Sequence, residues 1–293
     1  MRHQIDEKTN NLLIEASNLI KDFTDLGLSI WESRLNNYKN VTTDLPTNLL
    51  FRQILEANDG LYELIKLGCI NICKPILRTS LDCYLQMSFI LEGDEQRKAM
   101  HFLYHYNKSK LSDLEKVIFP ENKNSLSEKL SKDKIMKEFI LSDADKNLGF
   151  ADYKTLNEIL GSAENRQTAK EYGDKKKKSW YHFFIKSQKI EDLALSLKQN
   201  ALYEILFRNL SSFIHGEDIL HSNVVFFPDE VIGLKNLRDT DQLDFLVNST
   251  IIILERSILN YLIKKMAANK DMILSMKPLM ERGLKLRNRS KTT

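Results

Sequence analysis

The sequence predicts an all-α protein: a helical bundle of long antiparallel helices with a mobile, partly helical insertion. Helix breakers are rare, since the 293 residues include only 10 Gly and 5 Pro. Apolar residues recur three and four positions apart over long stretches, which is the period of one helix face. The 42% hydrophobic and 28% charged residues are ordinary for a globular protein. Together these observations favour helices over a β-sandwich or a barrel.

The first third of the chain predicts three long helices. Apolar spacing indicates a helix from about Asp6 to Tyr38, followed by a polar break over Asn40–Pro46. A second helix then runs to about Ile65, with the proline in its first turn, where a missing N–H costs little. A third helix is predicted over Asn71–Glu92, and its paired apolar residues form the seam of a packed bundle.

The middle of the chain is less regular. A fourth helix is predicted to end near Val117, because Phe119-Pro120 follows it. Residues 121–179 are rich in Lys, Glu, Ser and Asn, and we interpret them as an insertion and linker with two or three short helices. The predicted domains are therefore an N-terminal helix (1–45), a helical bundle (46–270) that contains this insertion, and a basic tail (271–293).

A central helix is predicted from about Ile190 to His215, with Gly216 as its C-terminal cap. The apolar residues of this helix recur three or four positions apart in a stripe, and the same steps lead to polar residues near its C-terminal end. We therefore predict that these polar side chains lie on the core face. An extended or loop segment and a last long helix, over about Asp239–Met266, complete the bundle. The stripe comprises Ile190, Leu193, Ala194, Leu197, Ala201 and Ile205, then Arg208, Ser212 and His215.

Charge and cysteine content limit the classes of function. A net charge of +3 is too small to indicate nucleic acid by itself. The three cysteines, Cys69, Cys73 and Cys83, lie in apolar helical patterns and predict reduced thiols rather than a disulfide framework. We see no signal peptide and no apolar run of about 18 residues, so we expect a cytoplasmic protein that does not span a membrane.

The segment that carries chemistry is Arg208 to His215. Seven residues on a helix turn through about 700°, so the arginine and the histidine project from nearly the same face. A guanidinium binds phosphate oxygens with two parallel hydrogen bonds, and an imidazole that titrates near neutrality can give or take a proton. RNA supplies its own nucleophile, the 2′-hydroxyl, so this pair predicts cleavage of a phosphodiester without a metal. Asn209 could orient the histidine or the phosphate.

Arg208-Asn209 with His215 resembles the motif of HEPN domains: an arginine, a polar residue, a short spacer and a histidine. HEPN domains are all-α bundles, and many are metal-independent endoribonucleases that act as toxins or antiviral effectors, often with the active site across a homodimer. The resemblance implies that Arg208 and His215 are the catalytic pair and that RNA is the substrate. It implies no cofactor.

Further segments resemble, in order, a group of poorly characterised bacterial helical proteins related to abortive-infection proteins of the HEPN type. The resemblance spans about residues 50–265 and rests on three stretches: residues 77–82, Trp180-Tyr181, and Leu210 to Gly216. In that group the Ser…His-Gly end is at least as typical as the arginine, which adds Ser212 to the candidate catalytic residues. A neutralising or defence-system partner protein is a further expectation.

Other candidate residues have both a structural and a functional interpretation. Arg78 and Asp82 are four apart, which predicts an ion pair within one helix or a supporting pair behind the catalytic residues. Trp180 and Tyr181 either stack on RNA bases or anchor the next helix. The lysine run that includes Lys177 and Lys178 either attracts RNA or lies on a solvated loop.

Two histidines and one ion pair complete the candidates. His101 and His105 are four apart, but no carboxylate stands where a metallohydrolase helix would place one, so we expect no metal site. Arg52 and Glu56 have the spacing of a structural ion pair.

Two further classes of function remain open at this point. The chain could be a non-catalytic helical module that binds a protein or nucleotide and regulates a defence effector; Arg208 and His215 would then be structural or ligand-binding. A nucleotidyl-transfer enzyme is also conceivable, although the sequence has no Gly-rich phosphate loop and no paired metal carboxylates. Burial of Arg208 against an acid would favour the binding module, whereas an accessible Arg208 would favour the nuclease.

Overall fold

The computed structural model describes residues 5–35, 41–122, 125–136, 143–173, 179–214, 224–226, 232–235, 238, 240–266 and 270–290. It confirms the all-α bundle. The chain divides into two compact units: residues 1–95 together with 189–293, called unit 1, and residues 96–188, called unit 2. His215 and the lysine run fall outside the described residues.

The described helices follow one another closely in the first two thirds of the chain. After residue 199 come a three-residue helix, a π-helical turn and, beyond residue 223, two short strands. In chain order the helices are α1 (Glu7–Leu35), α2 (Val41–Lys66), α3 (Ile70–Leu91), α4 (Glu95–Ile118), α5 (Leu126–Lys132), α6 (Asp143–Gly161), α7 (Arg166–Tyr172), α8 (His182–Ile185), α9 (Ile190–Ser196), α10 (Asn200–Leu202), α11 (Arg208–Ile214), α12 (Leu243–Lys265) and α13 (Lys270–Ser290).

The core of unit 1 lies among α1, α2, α3 and α12, which pack on one another along their lengths. Phe51 of α2 stacks on Tyr261 of α12 with ring centroids 4.3 Å apart, and the Tyr261 hydroxyl donates a hydrogen bond to Asn48. Helix α12 is long and apolar enough to cross a membrane by length and composition, and 61% of its most apolar stretch is buried inside the protein. Burial of this kind is typical of a helix at the centre of a bundle.

A buried network of four charges joins the ends of several helices in unit 1. Asp44 accepts hydrogen bonds from Arg34 at 2.9 Å and from Lys265 at 2.8 Å, and Lys265 also contacts Glu95. The predicted polar break over Asn40–Pro46 is wrong for residues 41–46, which belong to α2, while Asn40 lies outside the described residues. The polar side chain of Asp44 is buried in contacts with other helices, so its polarity does not mark a loop.

The predicted continuous central helix is also wrong. Helix α9 ends after Ser196, where Lys198 adopts a left-handed conformation with φ of 57°. The Gln199 N–H donates to the Ala194 carbonyl and the Lys198 N–H to the Leu195 carbonyl, which is the hydrogen-bond pattern of a Schellman motif. A lysine occupies the position that usually carries glycine, so no breaker residue marks this stop in the sequence.

Between α10 and α11 the chain forms a π-helical turn, Tyr203–Phe207. A π turn has more residues than an α turn, so it shifts the face on which all later residues lie. Ala201 and Ile205, predicted on the core stripe, are exposed, whereas Leu206, Phe207 and Leu210 are buried in their place.

Two short strands follow α11. The extended segment predicted near Val224 forms β1 (Val224–Phe226), which pairs antiparallel with β2 (Ile232–Leu234). The thiols of Cys73 and Cys83 are buried and free, as predicted, while Cys69 is partly exposed. Burial raises the pKa of both buried thiols to about 12, which makes them unreactive at neutral pH.

Unit 2 contains most of α4 together with α5, α6, α7 and α8. The segment predicted to hold two or three short helices, residues 121–179, does contain helices, but α6 has 19 residues and is not short. Aromatic residues fill much of it. Phe119 contacts Phe150 and Tyr153 edge-on, with centroids 5.8 and 5.3 Å apart. Trp180 contacts Phe102 in the same way at 5.5 Å.

Candidate functional site

Arg208 is accessible on the surface of unit 1. Its side chain is 61% exposed, at the first residue of α11. Its Nε lies 2.6 Å from Glu204 Oε2, and its Nη2 lies 3.6 Å from Glu191 Oε1. The two glutamates are themselves about half exposed, so the guanidinium is paired without being buried.

This placement corrects the prediction that Arg208 continues the core face of the preceding helix. The chain leaves the helix at Lys198 and then forms the π-helical turn Tyr203–Phe207, and after these two irregular turns Phe207 rather than Arg208 is buried. Leu210 follows Phe207 into the core three positions later. Arg208 therefore lies at the edge of the packed face, where solvent and a ligand can reach it.

Arg78 of α3 lies at the same end of unit 1. Its guanidinium carbon is 4.3 Å from the centroid of the Phe207 ring, which is a cation–π contact. Phe207 in turn stacks on Tyr203, with centroids 4.7 Å apart and an interplanar angle of 19°. Burial and the charge of Glu191 raise the pKa of Tyr203, and the charges of Arg208 and Arg78 oppose that rise. The two arginines thus lie near one Tyr203–Phe207 pair.

Asp82 does not form the predicted ion pair with Arg78. No ion pair joins the two side chains at 4.0 Å or less in the described structure, and Asp82 Oδ1 is buried without a hydrogen-bond partner. Burial raises the pKa of Asp82 to about 6, and the charge of Arg78 only partly opposes this. The guanidinium of Arg78 contacts the Phe207 ring instead.

The remaining predicted catalytic residues lie on or just after α11. The Asn209 side chain donates a hydrogen bond to the Ile205 carbonyl, and the neighbouring Ser211 hydroxyl donates to the Phe207 carbonyl at 2.6 Å. Ser212 belongs to α11, but its side chain lies outside the described residues, as does all of His215. The roles of these two residues therefore stay predictions from the sequence.

The predicted RNA-stacking residues are buried in unit 2. Trp180 is 3% exposed and Tyr181 is 7% exposed, and the Tyr181 hydroxyl donates to the Gln188 carbonyl at 3.1 Å. This is the arrangement expected of residues that anchor a helix, with no ring face open to a base. Lys177 and Lys178 lie outside the described residues.

His101 and His105, considered as metal ligands, each bind a protein partner in unit 2. His101 Nε2 lies 2.9 Å from Glu171 Oε2, and His105 Nδ1 lies 2.9 Å from the Tyr172 hydroxyl. Burial lowers the pKa of both histidines, which favours the neutral rings. Within the ranges that the structure describes, no group of three or more His, Cys, Asp or Glu side chains could hold a metal ion.

Glu171 collects hydrogen bonds from three side chains. Arg97 donates to its Oε2 from Nε at 3.3 Å and from Nη2 at 3.0 Å, and Gln167 donates to its Oε1 at 2.8 Å. Burial raises the pKa of Glu171, but the hydrogen bonds from Gln167, His101 and Arg97 outweigh that effect and hold it at about 2. The carboxylate is thus a fixed acceptor that organises this part of unit 2.

Sequence reasoning missed four residues of the Arg208 region: Glu191, Tyr203, Glu204 and Phe207. Glu204 could have been found, because it stands four residues before Arg208 on a helical segment. Glu191 could not, since its approach depends on the break after α9. Tyr203 and Phe207 stack because they lie in the π-helical turn, for which the sequence gives no sign.

The fold and the site define a class of protein: an all-α bundle with two arginines at the junction of α3 and α11 and, on α3, a carboxyl whose pKa burial raises. The sequence profile of the family of unknown function DUF5677 matches residues 44–230. That is more than half of the chain, and the chain belongs to this family. The matched range includes Arg78, Asp82, Arg208 and His215.

No curated protein and no solved structure matches the chain.

Proposed function

We propose that the protein is a metal-independent, HEPN-like endoribonuclease that acts as a toxin or antiphage effector. The observation that carries the proposal is the exposed guanidinium of Arg208, two helical turns before His215 in the sequence. By contrast, Arg34 lies in a closed network with Asp44, and its side chain is only 19% exposed. Arg208 instead meets solvent, where a phosphate can compete with Glu204 and Glu191 for its fork.

The proposed reaction needs only RNA and these side chains. The 2′-hydroxyl oxygen loses its proton to a base and forms a bond to phosphorus, the bond from phosphorus to the 5′-oxygen breaks, and the departing oxygen takes up a proton. The products are a 2′,3′-cyclic phosphate and a 5′-hydroxyl. His215 acts as acid and base, Arg208 offsets charge on the phosphorane, and Asn209 and Ser212 orient the reacting groups.

Location and assembly belong to the same proposal. The nuclease would act on cytoplasmic RNA as a homodimer, and a neutralising or defence-system protein would control it. Arg78 and Asp82 would support the site from α3.

The test is RNA cleavage by purified wild-type protein, with and without a chelator, beside His215→Ala and Arg208→Ala. Each substitution is expected to lower the rate by at least about 100-fold, because each removes a group that acts in the transition state. The products should carry 2′,3′-cyclic phosphate ends. Growth after expression should recover with the same two variants.

Arg52→Ala is the matched control. Arg52 is also a half-exposed helical arginine of unit 1 and binds a glutamate four residues away, at 2.7 Å, as the sequence predicts. It should keep full activity and toxicity. Wild-type protein that cleaves no RNA in any condition, or an Arg208→Ala variant as active as Arg52→Ala, would overturn the proposal in favour of a non-catalytic module. The two glutamates that already pair with Arg208 are the observation that favours this second function.

A further inference from the structure

We infer that Arg78 is a second phosphate-binding residue, which takes another phosphate of the same RNA strand as Arg208. The inference rests on the proposed function for its choice of RNA. It assigns to Arg78 a direct contact with the ligand, where the sequence predicted a supporting role behind the catalytic residues.

The hydrogen-bond donors of Arg78 have no acceptor in the part of the chain that the structure describes. The carbon of the guanidinium lies 4.3 Å from the centroid of the Phe207 ring, and a guanidinium carries five N–H donors and no acceptor. The ring has no oxygen or nitrogen atom that could accept a hydrogen bond from them. Within the described residues, no carboxylate or carbonyl accepts a hydrogen bond or ion pair from Arg78.

Other half-buried arginines of unit 1 do have acceptors. Arg34 binds Asp44 at 2.9 Å, and Arg238 donates to the Leu67 carbonyl at 2.9 Å. A half-buried guanidinium without an anion is costly, because burial removes water that would otherwise solvate the charge. Arg78 carries that cost in the free protein, and a bound anion would relieve it.

The neighbourhood of Arg78 favours a phosphate. The ring beneath it, Phe207, directly precedes Arg208 in the chain, so one short segment positions both cations. A planar fork fixed by an aromatic ring matches two phosphate oxygens at once and loses little freedom on binding. Successive phosphates of one RNA strand are the ligand that offers two such groups.

The experiment measures binding of a single-stranded 2′-O-methyl RNA oligonucleotide, which lacks the reactive 2′-hydroxyl and so cannot be cleaved. Fluorescence anisotropy over a range of salt concentrations gives the dissociation constant and its salt dependence for wild type, Arg78→Ala, Arg78→Lys and Arg52→Ala. Arg78→Ala should weaken binding about tenfold and lower the slope of log affinity against log salt by about one. Arg78→Lys should restore the slope but only part of the affinity, because lysine lacks the fork.

Arg52→Ala is the matched control, since the Arg52 guanidinium also lies over an aromatic ring, Trp31, at 5.9 Å, but binds Glu56. It should bind like wild type. Circular dichroism shows whether each variant is folded, and Arg78→Lys replaces Arg78→Ala in the comparison if the alanine variant is not.

The results separate this inference from the proposed function. Binding that depends on Arg78 in a protein without cleavage activity supports the inference and overturns the nuclease. Cleavage that depends on Arg208, with oligonucleotide binding unchanged in Arg78→Ala, overturns the inference alone. Equal losses in Arg78→Ala and Arg52→Ala, or no binding by wild type, also overturn it.

Discussion

Arg78 in unit 1 and Arg97 in unit 2 both contact an aromatic ring, but they differ in whether a carboxylate accepts hydrogen bonds from the guanidinium. Arg78 lies 4.3 Å from the centroid of Phe207, and Arg97 lies 5.4 Å from that of Phe184. The fork of Arg97 is closed by Glu171, which accepts two of its hydrogen bonds. The fork of Arg78 has no such acceptor within the described residues.

The difference shows that a cation–π contact does not by itself reveal what an arginine is for. In unit 2 the carboxylate satisfies the guanidinium and fixes it, so the cluster around Glu171 stabilises structure. In unit 1 the half-buried Asp82 has one oxygen, Oδ1, enclosed without a hydrogen-bond partner among the described residues, and burial raises its pKa although the charge of Arg78 partly opposes the rise. A guanidinium without an acceptor, on the same helix as a carboxyl oxygen without a donor, is an arrangement suited to binding a ligand rather than to stability.

The largest expected effect comes from removing the ring under Arg78. Phe207 is buried, so Phe207→Ala should lower the free energy of unfolding by about 3–5 kcal/mol, through lost burial and the cavity that remains. Phe184→Ala should cost less, because Phe184 is only half-buried. Chemical denaturation of both variants checks the order, and an equal loss at the two sites would contradict the contrast between them.

An intermediate effect on stability is expected from weakening the contact between Arg97 and Glu171. Glu171→Gln removes the charge that Arg97 and His101 bind and should destabilise unit 2 by about 1–3 kcal/mol. Because the pKa of Glu171 is held below its ordinary value of 4.5, at about 2, its contribution is present above pH 4.5 and is lost as the pH falls toward 2. The variant should therefore differ from wild type at pH 7 and resemble it near pH 2.

Tryptophan fluorescence can follow that change. The chain has two tryptophans, and Trp180 is the one in unit 2. In a Trp31→Phe background the signal reports unit 2 alone. Urea midpoints that do not respond to Glu171→Gln at pH 7 would show that the cluster does not stabilise this unit.

The smallest expected effect has the opposite sign. Asp82→Asn should raise the free energy of unfolding at pH 7 by about 1–2 kcal/mol, because it removes a charge that burial disfavours. The folded pKa, about 6, lies above the ordinary 3.8, so ionised Asp82 lowers stability as the pH rises through that window. The gain should appear between pH 4 and pH 6 and stay constant above it.

Asp113→Asn serves as the comparison for that measurement. Asp113 is an exposed helical acid paired with Lys116, and its replacement should change stability by no more than about 0.5 kcal/mol. A loss of stability in Asp82→Asn at pH 7 would mean that the carboxylate has a stabilising partner after all.

The long helices could be predicted from the sequence because their apolar spacing is strong and their stops are marked. Helix α3 ends before Gly93, which has a φ of 71°, and helix α12 lies within four residues of its predicted bounds. The Arg52–Glu56 pair is confirmed for a similar reason: its four-residue spacing is local.

The site was less predictable because two irregular turns decide it. The left-handed Lys198 ends a helix without a glycine, and the π-helical turn at Tyr203–Phe207 then shifts the buried face. The apolar stripe that starts at Ile190, continued across both turns with helical spacing, therefore placed Arg208 wrongly on the core face. The motif Arg208-Asn209…His215 begins at the first residue of α11, after both irregular turns. The seven-residue spacing of its arginine and histidine therefore does not depend on either turn.

The central position of α12 has a consequence for the order in which the bundle assembles during synthesis. Three of its packing partners, α1, α2 and α3, precede it in the chain, so they have left the ribosome before this apolar helix emerges, and α13, which also packs on it, follows. The surface of α1, α2 and α3 that packs against α12, here called the groove, can therefore form before the hydrophobic stretch of α12 is synthesised. A chain that stops before Leu243 would keep that groove without its occupant, and would present apolar surface to other chains instead.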